Sequence, residues 1–214
     1  MLLVSLTGGI ASGKSVVGEV LRRCGCHLHE ADRTARDFQA PGRPAYEKIV
    51  ARFGRDILAP DGAIDRGKLA AIVFADARER EALNAIVHPL VFAAMRKTAA
   101  RIAAEGRVRI FVHEAALTIE AGFAEFFDKV VVAYCPPDLQ MRRLAARDGL
   151  SPADARRRIK AQMPAAAKLD FADYVVDTAG SLEETAARTE ALYGSLLLDE
   201  VAKRRDRESL RSRD

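Results

Sequence analysis

Gly8-Gly9-Ile10-Ala11-Ser12-Gly13-Lys14-Ser15 follows the pattern G-x-x-x-x-G-K-[ST], and the residues on either side leave the chain few ways to fold around it. The apolar run Leu2-Leu3-Val4-Ser5-Leu6 before it reads as a buried strand. Val16 to Arg23 after it reads as a helix with Val16, Val17, Val20 and Leu21 on one face. A strand, a glycine-rich loop and a helix in that order set the loop amides at an open helix N-terminus, where unpaired N–H groups and the helix dipole favour an anion. Glycines let the backbone wrap phosphate oxygens without Cβ clashes. Lys14 is then placed to reach β and γ phosphates, and the Ser15 hydroxyl to ligate Mg²⁺, so the stretch from Gly8 to Val16 is expected to hold a nucleoside triphosphate.

Further short β-like runs recur between helical patterns: Cys26–His29, Val108–His113, Val130–Tyr134 and Tyr174–Val176. Strands alternating with helices predict a parallel sheet covered on both faces, with ligands at the strand ends. The suspect positions are therefore Glu30 to Asp32, Glu114 to Glu120, Pro136 to Asp138 and Asp177 to Gly180, besides the loop. Between the second and third strands lie roughly 75 mostly helical residues, far more than one crossover helix needs. Asp65 reads as the cap of a helix through Leu69 and Val73. A second insertion follows Tyr134: a helix Leu139–Arg147, a turn at Asp148-Gly149, and a helix opened by the capping box Ser151-Pro152-Ala153-Asp154. Asp154, Arg158 and Gln162 are spaced to share one face of it, and Pro164 is expected to close it.

The 214 residues suit one domain with insertions, and no apolar run approaches a membrane span. With no basic leader at the N-terminus and three cysteines, an odd number, the chain reads as cytoplasmic and without a disulfide framework. The net charge of +4 could suit nucleic acid, but aromatic residues make up 6% and there is no Trp, so stacking platforms are lacking. Much of the basic excess lies in Arg142 to Arg158 and in residues 203–214, a charged, nearly apolar-free segment expected to be a flexible tail.

Asp32 follows the second strand, where a carboxylate can accept a hydroxyl proton, help hold Mg²⁺, or simply cap a helix over Arg33 to Phe38. Arg142, Arg143, Arg147 and Arg156 to Arg158 combine a solvated face with charges that a closing lid could deliver to phosphates. Cys24-Gly25-Cys26-His27-Leu28-His29 has the residue types of a metal site. Strand alternation splits them, however, with Cys26 and Leu28 on one face and His27 and His29 on the other. His88-Pro89 reads as a helix boundary with a buried histidine.

Taken together these segments resemble one family, the dephospho-coenzyme A kinases. The likeness rests on Leu6 to Ser15 (L-T-G-G-I-G-S-G-K-S in the family), Glu30-Ala31-Asp32 (D-A-D), Leu83 to Pro89, Arg143 to Gly149, Arg158 to Gln162 and Ala172 to Asp177, and spans about residues 1–200. The resemblance implies an α/β fold of the P-loop NTPase type, a three-layer sandwich on a mostly parallel five-stranded sheet. Its core would comprise residues 1–32, 106–137 and 171–200, with a helical CoA-binding insertion at about 33–105 and a helical lid at about 138–170. It implies Mg·ATP-dependent phosphorylation of the 3′-hydroxyl of dephospho-CoA by a monomer or weak homo-oligomer with no nucleic-acid or membrane partner. Lys14 and the loop would hold ATP, Ser15 the Mg²⁺, Asp32 would be the base, and Arg143 and Arg147 the lid charges. Nucleoside or nucleoside-monophosphate kinases of similar architecture are the alternative, and a P-loop switch or ATPase is a more distant one. Three departures stand out: Ala11 replaces a loop glycine and is not expected to take φ > 0 freely, Glu30 replaces Asp, and Ala116-Leu117-Thr118-Ile119-Glu120 loses the Pro of P-L-L-[FY]-E while keeping its Glu.

Overall fold

Leu2, Val4 and Leu6 alternate with Leu3, Ser5 and Thr7 along β1 (Leu2–Thr7), and nearly the whole strand is buried, as the central strand of a sheet covered on both faces must be. The computed structural model describes residues 1–211. The other strands are β2 (His27–Glu30), β3 (Ile110–Glu114), β4 (Lys129–Tyr134) and β5 (Tyr174–Asp177), in spatial order β2-β3-β1-β4-β5. β1 runs parallel to β3, with Leu2 opposite Ile110 and Leu6 opposite Glu114. It also runs parallel to β4, and β4 to β5. All five expected strands are present, with ends shifted by a residue or two.

The helices are α1 (Lys14–Arg23), α2 (Ala31–Phe38), α3 (Tyr46–Phe53), α4 (Arg66–Ala75), α5 (Ala77–Glu105), α6 (Pro137–Asp148), α7 (Pro152–Lys160), α8 (Ala165–Lys168) and α9 (Leu182–Arg211). The chain divides into two units, residues 1–29 with 99–214, and residues 30–98.

In the first unit, strand alternation sorts the side chains cleanly. Leu2, Val4, Leu6, Cys26, Ile110, Val112, Val131, Ala133 and Val176 form one cluster with Val17 and Leu21 of α1 and Leu192 and Leu196 of α9. Full burial of each such Leu or Val contributes about 1.5–3 kcal/mol. On the opposite face His27 and His29 both stack on Phe111, at centroid separations of 5.2 and 6.2 Å. The expected split of the Cys-His segment is thus observed, and no cluster of three or more metal-ligating side chains occurs among the described residues.

The second unit is helical, with Ile49, Ile57, Leu69, Val73, Val87, Val91 and Met95 buried. Asp65 caps α4 as expected, accepting from Gly67 N at 2.9 Å and Lys68 N at 3.1 Å.

One sequence expectation fails here. His88-Pro89 is no boundary: α5 runs through it with Pro89 inside, and His88 is only half-buried. The buried stripe Val87, Val91, Met95, Ala99 and Ile102 continues on both sides of Pro89 at helical spacing, and packing of that stripe offsets the hydrogen bond Pro removes. Of the segment expected to be a charged tail, residues 203–211 continue α9, and Lys203 pairs with Asp128. Composition misses this since a helix already nucleated by buried Leu192 and Leu196 propagates at little cost into charged residues. Residues 212–214 of the expected tail lie outside the described residues.

Candidate active site

The loop leaves β1 at Thr7 and enters α1 at Lys14. Because α1 buries Val17, Val20 and Leu21, its N-terminus is fixed at the C-terminal end of the central strand. Gly13, at φ 85°, is the cap residue, and its carbonyl accepts from Val16 N and Val17 N at 3.0 and 3.3 Å. Ser12 N donates to Gly9 O at 3.1 Å, and the Lys14 ammonium lies 3.5 Å from the same oxygen. Ala11 sits at φ 58°, in the left-handed region that alanine is not expected to enter, and no other non-glycine among the described residues has positive φ. For an L-residue this costs about 1–2 kcal/mol and persists only where neighbours over-determine the geometry.

Four side chains from elsewhere in the unit hold the loop and the start of α1, two of them on Ile10 beside Ala11. Gln140, in the first turn of α6 and 3% exposed, donates from Nε2 to Ile10 O at 2.7 Å. Gln162 accepts from Ile10 N at 2.8 Å through Oε1. Thr178, just past β5, donates through Oγ1 to Ser12 O at 2.7 Å, and its side chain packs where Gly13 has no Cβ. Glu114, at the end of β3, accepts from the Ser15 hydroxyl at 3.0 Å. Strand alternation aims Glu114 at α1, because Ile110 and Val112 on the same face pack in the cluster that contains Val17 and Leu21.

Spacing alone puts Gln162 on one helix face with Asp154 and Arg158, but α7 ends at Lys160 and leaves it on the following turn. There Met163 N donates to Glu120 Oε1 at 3.1 Å. Glu120 in turn accepts from Lys168, at 2.8 and 2.9 Å, and Lys168 also donates to Ala116 O at 2.7 Å. Lys168 is fully buried; burial pulls its pKa down, while Glu120 opposes that shift. The Glu retained from the P-L-L-[FY]-E motif thus anchors the segment that carries Gln162.

Arg143 directs its guanidinium to the Thr178 carbonyl at 2.7 Å, beside the base of the loop. Arg147 and Arg158 both pair with Asp148, at 2.7 and 3.0 Å, joining α6 to α7, and Arg147 beside it holds the Asp148 carboxyl below its usual range. Ser151 caps α7 as expected, with Asp154 N donating to its Oγ at 3.1 Å. Asp32 lies in the second unit, in the first turn of α2, whose cap residue is Glu30. The reading of Asp32 as a cap for Arg33 to Phe38 therefore does not hold: the helix starts earlier, and Asp32 is inside it.

The structure thus gathers Gly8 to Ser15, Glu114, Gln140, Arg143, Gln162 and Thr178 in the first unit. Nothing in the sequence pattern singles out Gln140 or Lys168. Thr178 does lie in one of the suspect strand ends, and Gln140 sits just beyond another, Pro136 to Asp138, which is the available signal. A hard-oxygen pair, the Ser15 hydroxyl and the Glu114 carboxylate, suits Mg²⁺, which is commonly held by one or two side chains plus substrate phosphates.

Residues 2–184 match the family described as dephospho-CoA kinase. A dephospho-CoA kinase of Syntrophus aciditrophicus is 42% identical over 205 residues, covering 96% of this chain and 87% of that one. A crystal structure from Thermus thermophilus is similar with a TM-score of 0.74 at 29% identity, covering 91% of this chain and 97% of that one. The dephospho-CoA kinase of Campylobacter jejuni is similar with a TM-score of 0.57 at 26% identity, covering 91% and 96%.

Proposed function

The chain belongs to the dephospho-CoA kinase family, and from that premise we propose how its own residues share the work of moving the ATP γ-phosphoryl group to the 3′-hydroxyl of dephospho-CoA. The observation that carries the reading is the loop Gly8 to Ser15 at the N-terminus of α1, with Ser15 already oriented by Glu114. The loop amides and Lys14 hold the triphosphate. Ser15 is the side chain for Mg²⁺, which when bound neutralises charge on the phosphates.

Asp32 accepts the proton of the attacking hydroxyl, and its place inside the first turn of α2 supports a role other than capping. Arg143, braced on Thr178, and Arg147, braced on Asp148, supply positive charge to the transferring group from α6. The helices of residues 33–105 serve as the acceptor-binding insertion and residues 138–170 as the lid. An ATP-consuming biosynthetic step is consistent with a cytoplasmic enzyme, and no helix among the described residues is long and apolar enough to cross a membrane.

The test is ADP release in the presence of dephospho-CoA, adenosine, AMP or no acceptor. Release is expected to depend on dephospho-CoA, with 3′-phosphorylated product. Equal release with AMP or adenosine would favour the nucleoside and nucleoside-monophosphate kinase reading, and equal release without acceptor an ATPase.

A further inference from the structure

Ile10 has both its backbone polar groups held by glutamine side chains: its carbonyl by Gln140 at 2.7 Å and its N–H by Gln162 at 2.8 Å. The next residue is Ala11 in the left-handed region, at φ 58°. The two facts are mechanically linked. The Ile10 carbonyl and the Ala11 N–H belong to one peptide plane, and in a trans peptide they point in opposite directions. A half-turn of that plane changes ψ of Ile10 and φ of Ala11 together. It would return Ala11 to the negative φ that alanine prefers, while swinging the Ile10 carbonyl off Gln140 and reversing the Ala11 N–H.

We propose that Gln140 is a positioning residue of the phosphotransfer site, which locks the Ile10–Ala11 peptide so that the Ala11 N–H stays turned toward the bound phosphates. The proposal rests on the phosphate-loop reading above. Gln140 is firmly held itself. It is 3% exposed, and its backbone N–H donates to Pro136 O at 3.0 Å, so neither its helix turn nor its side chain is loose. Its amide lies against Gly9, where any Cβ would collide with it, so the glycine at 9 serves the glutamine's close approach.

Gln162 holds the preceding peptide, which prevents the strain from passing backwards along the loop. Its own position is set by the neighbouring Met163 N–H on Glu120, and Glu120's by buried Lys168. A chain with glycine at position 11 would be at ease in this conformation without a clamp; a chain with alanine is not. Gln140 is therefore the counterpart of Ala11.

The experiment measures Mg·ADP affinity by calorimetry, together with kcat and the KM of each substrate, for Gln140→Met alone and combined with Ala11→Gly. Gln140→Met is expected to weaken ADP binding about tenfold, about 1.4 kcal/mol, and to raise KM for ATP while leaving KM for dephospho-CoA unchanged. In the Ala11→Gly background the same substitution is expected to cost about threefold or less, because glycine no longer pulls the peptide over. An equal loss in both backgrounds, or no loss in the native one, overturns the proposal. Should Gln140→Met fail to fold, Gln140→Asn, whose amide is too short to reach Ile10, is expected to show the same loss and the same rescue, with the same overturning outcomes. Lack of Mg·ADP binding by the unsubstituted chain would instead overturn the phosphate-loop reading itself.

Discussion

Glu114 Oε1 accepts the Ser15 hydroxyl at 3.0 Å, and the space its carboxylate occupies exists because residue 18, one turn along α1, has no side chain. A Cβ at Gly18 would stand 2.7 Å from Glu114 Oε2 and 3.2 Å from Leu28 Cδ2. Gly18→Ala is therefore expected to displace the carboxylate and disturb Ser15. Alanine favours the helix over glycine by roughly 0.5–1 kcal/mol, and the carboxylate lies at the far end of a flexible side chain, so the melting temperature should hold or rise. The expected pattern is a several-fold higher Mg²⁺ requirement for activity without thermal destabilisation, checked by Mg²⁺ titration of kcat alongside a melting curve. A normal Mg²⁺ requirement would dissociate Glu114 from the Mg²⁺ role proposed for Ser15.

Arg147 grips Asp148 with its planar fork, at 2.7 Å from Nε and 3.2 Å from Nη2, whereas Arg157 pairs with Asp154 at a largely exposed position. If Arg147 serves the reacting phosphates, Arg147→Lys should lower kcat/KM by roughly tenfold or more despite the retained charge, because a lysine cannot span two oxygens. Arg157→Lys should leave the kinetics near normal. Steady-state assays of the two variants side by side decide the point; identical behaviour would remove the support for Arg147.

His113 and His29 approach Nδ1 to Nδ1 at 3.0 Å on adjoining strands, with His113 also stacked on Phe127 at 5.5 Å. Burial, and to a lesser extent the neighbouring His29, pushes the His113 pKa down to about 3. An unfolded histidine takes up its proton near pH 6.5, so between pH 6.5 and about 3 the unfolded chain binds more protons than the folded one. This group's contribution to stability is thus constant above pH 7 and declines as pH falls below 6.5, by at most about 1.4 kcal/mol per pH unit. Urea unfolding at pH 7.5 and pH 5 should show a smaller pH penalty for a His29→Leu, His113→Leu double variant than for the native chain. An unchanged penalty would place the acid sensitivity elsewhere.

The sheet and the loop are legible in the sequence because both are local in origin. Five short β-rich runs and one spaced motif are enough to expect strands near 2, 26, 108, 130 and 174 and a phosphate site between the first strand and its helix. Alternation likewise sorts Cys26 and Leu28 from His27 and His29 without coordinates. What stays hidden is non-local: Gln140 and Gln162 meet Ile10 from 130 and 152 residues away, and Lys168 meets Glu120 across 48, contacts that no periodicity records. Position 11 departs from its expected conformation for the same reason. An intrinsic preference against φ > 0 is the correct prior for alanine, but it is overruled when distant side chains fix the peptide before it. Pro89 in α5 and the charged end of α9 show the converse, in which a buried stripe on the same helix outweighs the local composition.

Single-turnover phosphoryl transfer in Asp32→Asn is the decisive measurement of whether Asp32 takes the proton as the 3′-hydroxyl of dephospho-CoA attacks ATP. Asparagine nearly conserves volume and serves a helix N-terminus about as well as aspartate, and the cap residue of α2 is in any case Glu30, so the fold should be untouched. With Asp32 as the base, the chemical step slows by on the order of 10²-fold or more while ATP affinity stays within about twofold. A variant that transfers phosphate at the native rate would contradict that role.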